Sequence, residues 1–591
     1  MQLISPKTNG SSAVNGPSSG SINVSKPIEK WWKEAVIYQI YPSSFCDSNG
    51  DGVGDLLGIT SKIPYLKDLG VDVVWLSPIY KSPQHDMGYD VSDYKSIHEP
   101  FGTLEDWEIL RTTLHDAGIK IIMDLVVNHT SFEHAWFLES RSSLDNPKRS
   151  WYHWRAPRYD ENNCRQPPNN WRSFFGDESA WEYDETTDEY YLRVFTKEQP
   201  DLNWENPEVR EAVHDVVNFW LEKGIDGFRV DAINYICKAD GFPDAKVVDP
   251  SSPYQPAMHL YMNVGNVHNY LRDLNDATMA NYDVMTVGET PYVSSTQLAL
   301  DYVHPSRREL QMIFPWEHMD VDRVPNAILA WRAWKLRELK SILADWQTLM
   351  AAHGGWNSLY MENHDQGRSI TRFASDAPEY RATSGKLLAL MLASLGGTLY
   401  VYQGQDIGMV NPAKWEIDDY PDVVSRTQYR IEKQRRAVET GSSDPPMDDV
   451  LNDIRIRGRD NARTPMPWNP RDPNAGFTTG TPWMKLNPDF GVCNVETAVQ
   501  DPESVVNFWK KLFILRKEWK TLVYGGFEIF DLEHEEIFAF VRRLEGYPSA
   551  FTVLNFSGGD IEYHIPETIA EKCLEAKLRL GNYCKEGKAL T

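Results

Sequence analysis

The chain has 591 residues, of which 41% are hydrophobic, and its formal net charge at pH 7 is −25. This length exceeds that of one ordinary domain, and it accommodates a (β/α)₈ barrel of roughly 250 residues or more with appendages. The acidic balance argues against nucleic acid and anionic lipid as partners, because both require clustered Lys and Arg side chains.

The N-terminal segment 1–30 is rich in Ser, Asn, Gly and Pro, and we expect it to be a disordered tail. It contains no apolar stretch typical of a secretory signal, and no run of about 18 apolar residues follows it. We therefore predict a cytoplasmic protein that does not associate with membranes and that is a monomer or a weak homo-oligomer. The six cysteines show no C-x-x-C spacing, so we expect neither a zinc site nor a redox motif.

Eight short apolar runs, separated by helical stretches such as 207–223, predict buried strands. They are Val36–Tyr41, Val73–Leu76, Ile121–Val126, Gly227–Asp231, Val284–Glu289, Leu310–Phe314, Ser358–Met361 and Thr398–Tyr402. Repeated strand–helix alternation implies a parallel sheet, and eight units imply a closed barrel. We therefore predict an α/β fold, a (β/α)₈ TIM barrel formed by residues 31–130 and 201–518.

Two regions within the barrel depart from its strand–helix pattern, and a third region comes after the barrel in the chain. The polar and aromatic stretch 131–200 is too long for an ordinary loop, so we predict a subdomain inserted after strand 3, over the barrel mouth. The segment 404–475 is a second long excursion, after the eighth strand. Within 519–591 the pattern alternates as in strands, for example at Phe551–Phe556, which predicts a C-terminal antiparallel β-domain.

Polar side chains stand at the ends of several predicted strands. They are Asn128 and His129 after the third strand, Arg229 and Asp231 in the fourth, Glu289 in the fifth, and His364 and Asp365 after the seventh. Active residues of such barrels cluster at the carboxyl ends of the strands. One carboxylate there is more often a helix cap or an ion-pair partner. Three carboxylates, an arginine and two histidines together indicate a functional pocket.

This set of side chains suits the hydrolysis of a glycosidic bond. A retaining enzyme needs an ionised nucleophile and a protonated acid whose carboxyl groups lie roughly 5–5.5 Å apart, a spacing that adjacent strands provide. Arg229 and Asp231 point to the same side of their strand, so we expect the guanidinium to hold Asp231 ionised as the nucleophile. We expect an apolar setting to raise the pKa of Glu289, as a general acid requires. Asp365 is then available to bind sugar hydroxyls and to stabilise positive charge.

At these residues the chain resembles the α-amylase superfamily (glycoside hydrolase family 13), and is most similar to its α-glucosidase and oligo-1,6-glucosidase branch, fungal maltases especially. The resemblance extends from about Trp31 into the C-terminal domain. The motifs that carry it are Asp124–His129, Gln199–Asn203, Gly227–Asp231, Gly288–Glu289 and Glu362–Asp365. The resemblance implies that Asp231 is the nucleophile, Glu289 the acid/base and Asp365 the third carboxylate. Gln199–Asn203 resembles the signature of the oligo-1,6-glucosidase subgroup.

The same resemblance implies which residues surround the substrate, a small α-glucoside. The first glucose would contact His129, Arg229, His364 and Arg463, with Asp86 and Tyr89 at its far edge, Arg459 in the next subsite, and Phe195 and Tyr402 as walls. A charged floor at the sugar's 4-hydroxyl edge would close the pocket and restrict the enzyme to non-reducing ends. Tyr402 has a second interpretation, as a core aromatic at a strand end.

The residue after the nucleophile bears on the linkage that is cleaved. In related enzymes a Val there accompanies α-1,6 preference, whereas Ala or Thr accompanies α-1,4 preference. Ala232 therefore favours maltose-type α-1,4 substrates, and sucrose as well, unless its side chain simply packs. An oligo-1,6-glucosidase (isomaltase) is the alternative, because a methyl-sized change in a pocket is worth only about 1–3 kcal/mol.

Two further alternatives concern the fate of the reaction. The covalent intermediate could pass to a sugar, as in a transglycosylase or a sucrose isomerase, but Arg368–Phe373 lacks the Arg-Leu-Asp-Arg-Asp run that we associate with sucrose isomerases. Non-catalytic transporter heavy chains look similar too. They would be expected to carry a membrane span and degraded catalytic positions, whereas this chain has no such span and retains all three carboxylates.

A loop after the first strand offers oxygen donors at alternate positions, a pattern that suits a hard cation. The side-chain donors are Asp47, Asn49, Asp51 and Asp55. The loop is not a complete EF-hand, because position twelve is Gly58 rather than Glu, and a solvated turn is the alternative. The resemblance implies a structural Ca²⁺ here, or Mg²⁺, with Val53 contributing its carbonyl. We expect no catalytic cofactor.

Overall fold

The computed structural model of the protein describes residues 28–293, 295–471, 473–573 and 576–582. The predicted tail, 1–30, lies outside these residues except for its last three positions. No helix in the described part of the chain is both long and apolar enough to cross a lipid bilayer.

Eight parallel strands form the centre of the fold, and they confirm the predicted barrel. In chain order they are Val36–Ile40, Val73–Leu76, Lys120–Val126, Gly227–Asp231, Met285–Glu289, Met312–Phe314, Ser358–Leu359 and Thr398–Tyr402. Their order in the sheet runs from the sixth strand back to the first, then to the eighth and the seventh. The sixth and seventh strands meet where the hydroxyl of Ser358 donates to the carbonyl of Ile313 at 2.6 Å, which nearly closes the barrel.

The strands read as continuous apolar runs because both of their faces are covered. Every residue of Val36–Ile40 and of Gly227–Asp231 is buried, as expected for a parallel sheet enclosed by helices. Gly227 lets the fourth and fifth strands approach closely, since a Cβ there would lie 2.0 Å from the carbonyl oxygen of Met285. This close pairing fixes the two strands that end at Asp231 and Glu289.

Helices cover the barrel and its extensions. The α-helices are Trp31–Glu34, Leu56–Ser61, Ile63–Leu69, Leu104–Asp116, Ala135–Ser142, Pro207–Glu222, Met258–Tyr261, Val267–Ala277, Thr296–Val303, Leu336–Ala352, Ser369–Phe373, Arg381–Ser394, Val423–Thr440, Asp448–Arg457, Asp460–Arg463, Val495–Gln500, Val505–Glu518, Lys520–Tyr524 and Glu567–Cys573. Pro207–Glu222 illustrates their construction. Asn206 caps its first turn by accepting from the amide of Glu208 at 2.9 Å, and Pro207 fills the position where no amide is needed.

The stretch 131–200 contains the helix Ala135–Ser142 and two small antiparallel sheets. Their strands are Trp154–Arg155, Trp181–Asp184 and Glu189–Leu192 in one sheet, and Arg158–Tyr159 and Arg165–Gln166 in the other. The segment returns to the barrel where the amide of Leu202 donates to the carbonyl of Asn128 at 2.9 Å. This places its last residues directly beside the end of the third barrel strand.

Three more regions complete the described chain. The excursion after the eighth strand is helical over Val423–Thr440, Asp448–Arg457 and Asp460–Arg463. A short antiparallel pair, Tyr80–Lys81 and Asp93–Ile97, lies beyond the second strand. The strands Gly526–Phe530, Ile537–Arg543 and Ala550–Asn555 form an antiparallel sheet, so the predicted C-terminal antiparallel strands are confirmed.

Candidate active site

A cavity of about 150 Å³, which we call the inner cavity, opens at the carboxyl ends of the barrel strands. Nine of the thirteen predicted catalytic and substrate-binding residues line it. They are Asp86, Tyr89, His129, Phe195, Asp231, Ala232, Glu289, Asp365 and Arg459. The structure therefore brings together side chains from the second to the seventh strands, from 131–200 and from the excursion after strand eight.

Arg229 forms the centre of the charged floor, with a side chain that is only 2% exposed. Its Nη1 lies 2.6 Å from Oδ1 of Asp231 and 2.5 Å from Oδ1 of Asp124, and its Nη2 lies 2.6 Å from Oε2 of Glu289. The neighbouring strands are in register at Val230 and Gly288, which sets Asp231 and Glu289 side by side. One cation thus faces three carboxyl groups, so burial favours a proton on one of them.

The two central carboxyl groups differ in acidity. Burial raises the pKa of Asp231 to about 6, against the opposing charge of Arg229. Burial also raises the pKa of Glu289, to about 8, and the charges of Asp231 and Asp365 add to the increase despite Arg229. At pH 7 Asp231 is therefore mostly ionised and Glu289 mostly protonated.

Burial changes one part of the predicted electrostatics. We expected the guanidinium of Arg229 to hold Asp231 ionised, and its charge does lower the pKa of Asp231, but burial outweighs this charge and the net shift of the pKa is upward. For Glu289 the direction is as expected and burial is the main cause. The pKa of Glu289 remains above that of Asp231, because the charges of Asp231 and Asp365 both raise it and because Glu289 shares the guanidinium of Arg229 with Asp231 and Asp124.

Asp365 is the most acidic of the three predicted carboxyl groups. Burial acts to raise its pKa, but His364, Arg459 and Arg463 together hold the pKa well below its usual value. Nε2 of His364 lies 3.1 Å from Oδ2 of Asp365. Nη2 of Arg463 and Nη1 of Arg459 lie 2.9 Å and 3.3 Å from Oδ1. Asp365 is therefore ionised, which suits the binding of hydroxyl groups and the stabilisation of positive charge.

Three predicted substrate contacts lie behind the cavity wall. Arg229, His364 and Arg463 are all almost completely buried and reach the cavity through their partners. The ring of His364 stacks on that of Tyr89 with centroids 5.2 Å apart, and its Nε2 lies 2.6 Å from the hydroxyl of Tyr89. Nε of Arg463 donates to the carbonyl of His364 at 2.8 Å. These side chains orient the cavity wall instead of forming its surface.

Tyr402 is placed differently from the prediction. Its ring is completely buried, and its hydroxyl donates to the carbonyl of Ala462 at 3.0 Å. It packs with Tyr41 in a small core cluster and does not line the inner cavity. Its burial in this cluster fits the interpretation as a core aromatic at a strand end.

Ala232 has an unusual backbone conformation, with φ 40° and ψ 38°. Its amide donates to Oε2 of Glu289 at 3.3 Å, and its side chain lines the inner cavity. The left-handed region disfavours β-branched side chains. The small residue after Asp231 therefore suits the local turn as well as the space beside the two carboxyl groups.

Several functional candidates escaped the sequence reasoning. Asp124 is buried beneath the floor, and its carboxyl group also accepts from Nε1 of Trp75 at 2.9 Å. Gln199 lines the cavity and donates to Oδ2 of Asp86 at 3.1 Å. Both residues lie within motifs that carry the family resemblance, Asp124–His129 and Gln199–Asn203, and Asp124 was also visible as a charged residue inside an apolar strand.

Asp422 was the least visible of these residues. Its Oδ1 accepts from Nε of Arg459 at 3.0 Å, and its Oδ2 accepts from the amide of Ser425 at 3.1 Å, which caps the helix Val423–Thr440. It also lies 3.5 Å from Nη1 of Arg463. The only signal in the sequence was an Asp before two apolar residues, a pattern typical of a helix cap. The contact with the two arginines depends on tertiary structure.

The proposed metal loop consists of consecutive turns closed by its own side chains. Oδ1 of Asp47 accepts from the amides of Asn49 and Gly50, at 2.9 and 2.7 Å, and Asp55 accepts from the amide of Ser48 at 2.7 Å. Hard oxygen donors suit Ca²⁺ or Mg²⁺. However, no group of three or more His, Cys, Asp or Glu side chains among the described residues is arranged so that it could hold a metal ion. The donor atoms of the loop are thus of the type that binds a hard cation, but the acidic side chains do not converge on a common point. Bound calcium stays a prediction.

Comparisons with known proteins agree with this geometry. The family model for the α-amylase catalytic domain matches residues 39–525. An oligo-1,6-glucosidase of Parageobacillus thermoglucosidasius is 48% identical over 94% of this chain and 95% of its own length. An α-glucosidase of Schizosaccharomyces pombe is 48% identical, over 91% and 92%. The crystal structure of an isomaltulose synthase from Protaminobacter rubrum superposes with a TM-score of 0.85 at 37% identity, covering 92% of this chain and 93% of that one.

Proposed function

The chain belongs to the α-amylase family of glycoside hydrolases, and from that premise we propose that it is a retaining, exo-acting α-glucosidase that hydrolyses terminal α-1,4-linked glucose in maltose-type oligosaccharides and also acts on sucrose. The observation that carries the proposal is that the carboxyl groups of Asp231 and Glu289 each lie 2.6 Å from the guanidinium of Arg229. Two carboxyl groups that share one guanidinium are close enough for one of them to attack directly, whereas an inverting enzyme separates them by roughly 6.5–9.5 Å to admit a water.

In the first step, the carboxylate of Asp231 attacks the anomeric carbon of the terminal glucose. Glu289 delivers its proton to the glycosidic oxygen, so that the leaving group departs as a neutral alcohol and a glucosyl ester of Asp231 forms. In the second step, Glu289 removes a proton from water, which attacks the anomeric carbon and releases glucose with its original configuration. Asp365 stabilises the positive charge that develops on the ring in both transition states.

The closed sugar end of the inner cavity supports action on terminal glucose. Arg459 bridges Asp86 and Asp365, with Nη2 3.1 Å from Oδ1 of Asp86 and Nη1 3.3 Å from Oδ1 of Asp365. In the proposed complex this ion-pair floor holds the terminal glucose. A longer substrate extends towards Tyr292 and Arg323, which also line a neighbouring larger cavity.

The α-1,4 preference rests on Ala232, whose small side chain lies beside the two carboxyl groups. A relative that is named an oligo-1,6-glucosidase is 48% identical to this chain, so isomaltase activity is the second candidate function. Because both reactions use the same carboxyl groups, only the relative rates distinguish them.

A substrate panel tests the proposal. Purified protein is assayed with maltose, sucrose, isomaltose and trehalose, and the anomer released first is identified by proton NMR. We expect kcat/KM to be highest for maltose, sucrose to be hydrolysed, and α-glucose to appear before mutarotation. Release of β-glucose first, or no glucose from any of the four sugars, would overturn the proposal, and a higher kcat/KM for isomaltose would select the second candidate.

Transfer to a sugar acceptor is tested separately, because an isomaltulose synthase has a similar structure. Products at high sucrose concentration are separated by chromatography. We expect free glucose and fructose to dominate, and isomaltulose or trehalulose as the main product would instead identify a sucrose isomerase.

A further inference from the structure

The first barrel strand contains one amide side chain, that of Gln39, among apolar and aromatic residues. Gln39 is only 1% exposed, so its amide is removed from water. Its Nε2 donates to Oγ of Ser77 at 3.1 Å and lies 2.8 Å from Nδ1 of His364, while its Oε1 accepts no hydrogen bond from the described residues. An unpaired buried acceptor costs free energy, so the contacts that the amide does make call for an explanation.

His364, on the other side of this contact, is held by rings and by polar groups. Its imidazole stacks on the ring of Tyr89, with centroids 5.2 Å apart, and on that of Tyr41, with centroids 6.2 Å apart. Its Nε2 lies 2.6 Å from the hydroxyl of Tyr89 and 3.1 Å from Oδ2 of Asp365. The two ring nitrogens therefore have different partners, an amide at Nδ1 and a hydroxyl with a carboxylate at Nε2.

The charge state of His364 leaves its imidazole with a single proton. Burial lowers the pKa of His364, the charges of Arg229 and Arg463 act in the same direction, and Asp365 acts against them. The ring is therefore neutral at pH 7 and carries its proton on either Nδ1 or Nε2. The partners of the two nitrogens decide between these tautomers.

The amide of Gln39 selects one tautomer, because an amide nitrogen donates and does not accept. Its N–H group, directed at Nδ1 of His364, needs a lone pair there, so the proton of the imidazole resides on Nε2. That N–H group then faces the hydroxyl oxygen of Tyr89 and Oδ2 of Asp365, which both accept. The other tautomer would set the lone pair of Nε2 against the carboxylate of Asp365, which is repulsive.

We propose that Gln39 is a positioning residue that keeps His364 in the tautomer protonated on Nε2 and thereby holds Asp365 in place for the reaction. The kinetic part of this inference rests on the proposed α-glucosidase function, whereas the tautomer does not. His364 binds Oδ2 of Asp365, while Arg459 and Arg463 bind Oδ1. A carboxylate that is held at both oxygens presents its charge at a defined place, as the stabilisation of developing positive charge requires.

Two substitutions of similar volume separate this role from packing. Gln39→Met removes the donor, and kcat/KM for maltose should fall about tenfold at every pH, in line with partners that orient a histidine at metal sites. Gln39→Glu keeps the shape and adds a titratable group. At low pH the pair of Glu and His364 holds enough protons to keep N–H on Nε2, and as the pH rises the pair loses one and the carboxylate draws the remaining proton to Nδ1. The ratio of kcat/KM to that of the wild type should therefore fall between pH 5 and pH 9.

Gln347→Met is the matched control, because it removes another buried amide, one that does not line the inner cavity. Nε2 of Gln347 donates to the carbonyl of Gly396 at 2.9 Å, and its Oε1 accepts from the amide of Gly396 at 2.7 Å. We expect this variant to lower the melting temperature and to keep kcat/KM within twofold. Full activity of folded Gln39→Met, a loss as large in the control, or a pH-independent ratio for Gln39→Glu would each contradict the proposal.

Neutron crystallography of the full wild-type chain, with crystals exchanged into D₂O at pH 7, tests the tautomer directly. We expect one deuteron on Nε2 of His364, none on Nδ1, and the deuterated amide nitrogen of Gln39 facing Nδ1. A deuteron on Nδ1 would overturn the proposal, because Gln39 would then present its oxygen. The measurement needs neither a substrate nor a variant, so it decides the tautomer even if no α-glucoside is cleaved or Gln39→Met fails to fold.

Discussion

The two ends of the inner cavity are built differently. At the sugar end, Asp86, Asp365 and Asp422 are joined to Arg459 by contacts of 2.5–3.3 Å, and all four side chains are mostly buried. At the leaving-group end, Tyr292 is partly exposed and adjoins a large, mainly apolar cavity. Under the proposed function, the comparison teaches that the terminal sugar meets a rigid, ion-paired end of the cavity, whereas the group attached to it meets a more open and more apolar end.

The largest expected effect comes from the floor that both ends share. Asp231→Asn should reduce kcat/KM by on the order of 10⁴-fold or more for every substrate, because it removes the proposed nucleophile. Initial rates with maltose and p-nitrophenyl α-glucoside measure the effect. Circular dichroism and the melting temperature provide the control for folding. Activity within tenfold of the wild type would refute the assignment.

The pH profile probes the pKa difference between the two central groups. The reaction needs ionised Asp231, with a pKa of about 6, and protonated Glu289, with a pKa of about 8. The value of kcat/KM should therefore fall below pH 6 as Asp231 gains a proton and above pH 8 as Glu289 loses one, about tenfold per pH unit on each limb. Glu289→Gln should remove the alkaline limb, and a limb that persists in this variant would assign it to another group.

A substitution of Asp422 tests the sugar end of the cavity alone. Asp422→Asn should lower kcat/KM by roughly tenfold to a hundredfold, as expected when a charge-assisted hydrogen bond at a buried site is weakened. Since the residue acts through Arg459 and Arg463 on the sugar end, the loss should be equal for methyl and octyl α-glucosides and should fall on KM. Asp444→Asn, at an exposed position in the loop after the same helix, is the control. A loss confined to one of the two glucosides would show that Asp422 acts on the leaving-group end instead.

The sequence predicted the barrel almost completely and the site in part. Fully buried parallel strands appear as plain apolar runs, which is why all eight, from Val36–Ile40 to Thr398–Tyr402, were found. The charged residues at the strand ends were visible because they directly follow these apolar runs. Asp422 and Tyr292 were missed because their roles depend on which loops fold over the barrel. The balance of burial against charge at Asp231 was also beyond the sequence, since desolvation depends on the packed structure.

Ala232→Val tests the leaving-group side of the cavity by adding two methyl groups to a small side chain. It should shift the ratio of kcat/KM for isomaltose to that for maltose upwards by about tenfold, in line with about 1–3 kcal/mol for a change of this size in a pocket. The φ of 40° at this position is unfavourable for a β-branched residue, so the melting temperature should fall as well. Ala232→Gly tolerates the same backbone and is the control. An unchanged ratio in a folded Ala232→Val variant would show that this position does not determine the linkage preference.

The smallest expected effect lies outside the cavity, in the loop of Asp47, Asn49, Asp51 and Asp55. If the loop holds a structural cation, EDTA should lower the melting temperature by a few degrees, because a ligand bound only to the folded state at a hundred times its Kd stabilises that state by about 2.7 kcal/mol. Neither end of the cavity contains these residues, so initial rates at 25 °C should stay unchanged. Added Ca²⁺ should restore the melting temperature, and Mg²⁺ in parallel identifies the preferred ion. Identical melting curves with EDTA and with Ca²⁺ would show that the loop is held by its own hydrogen bonds without a bound cation.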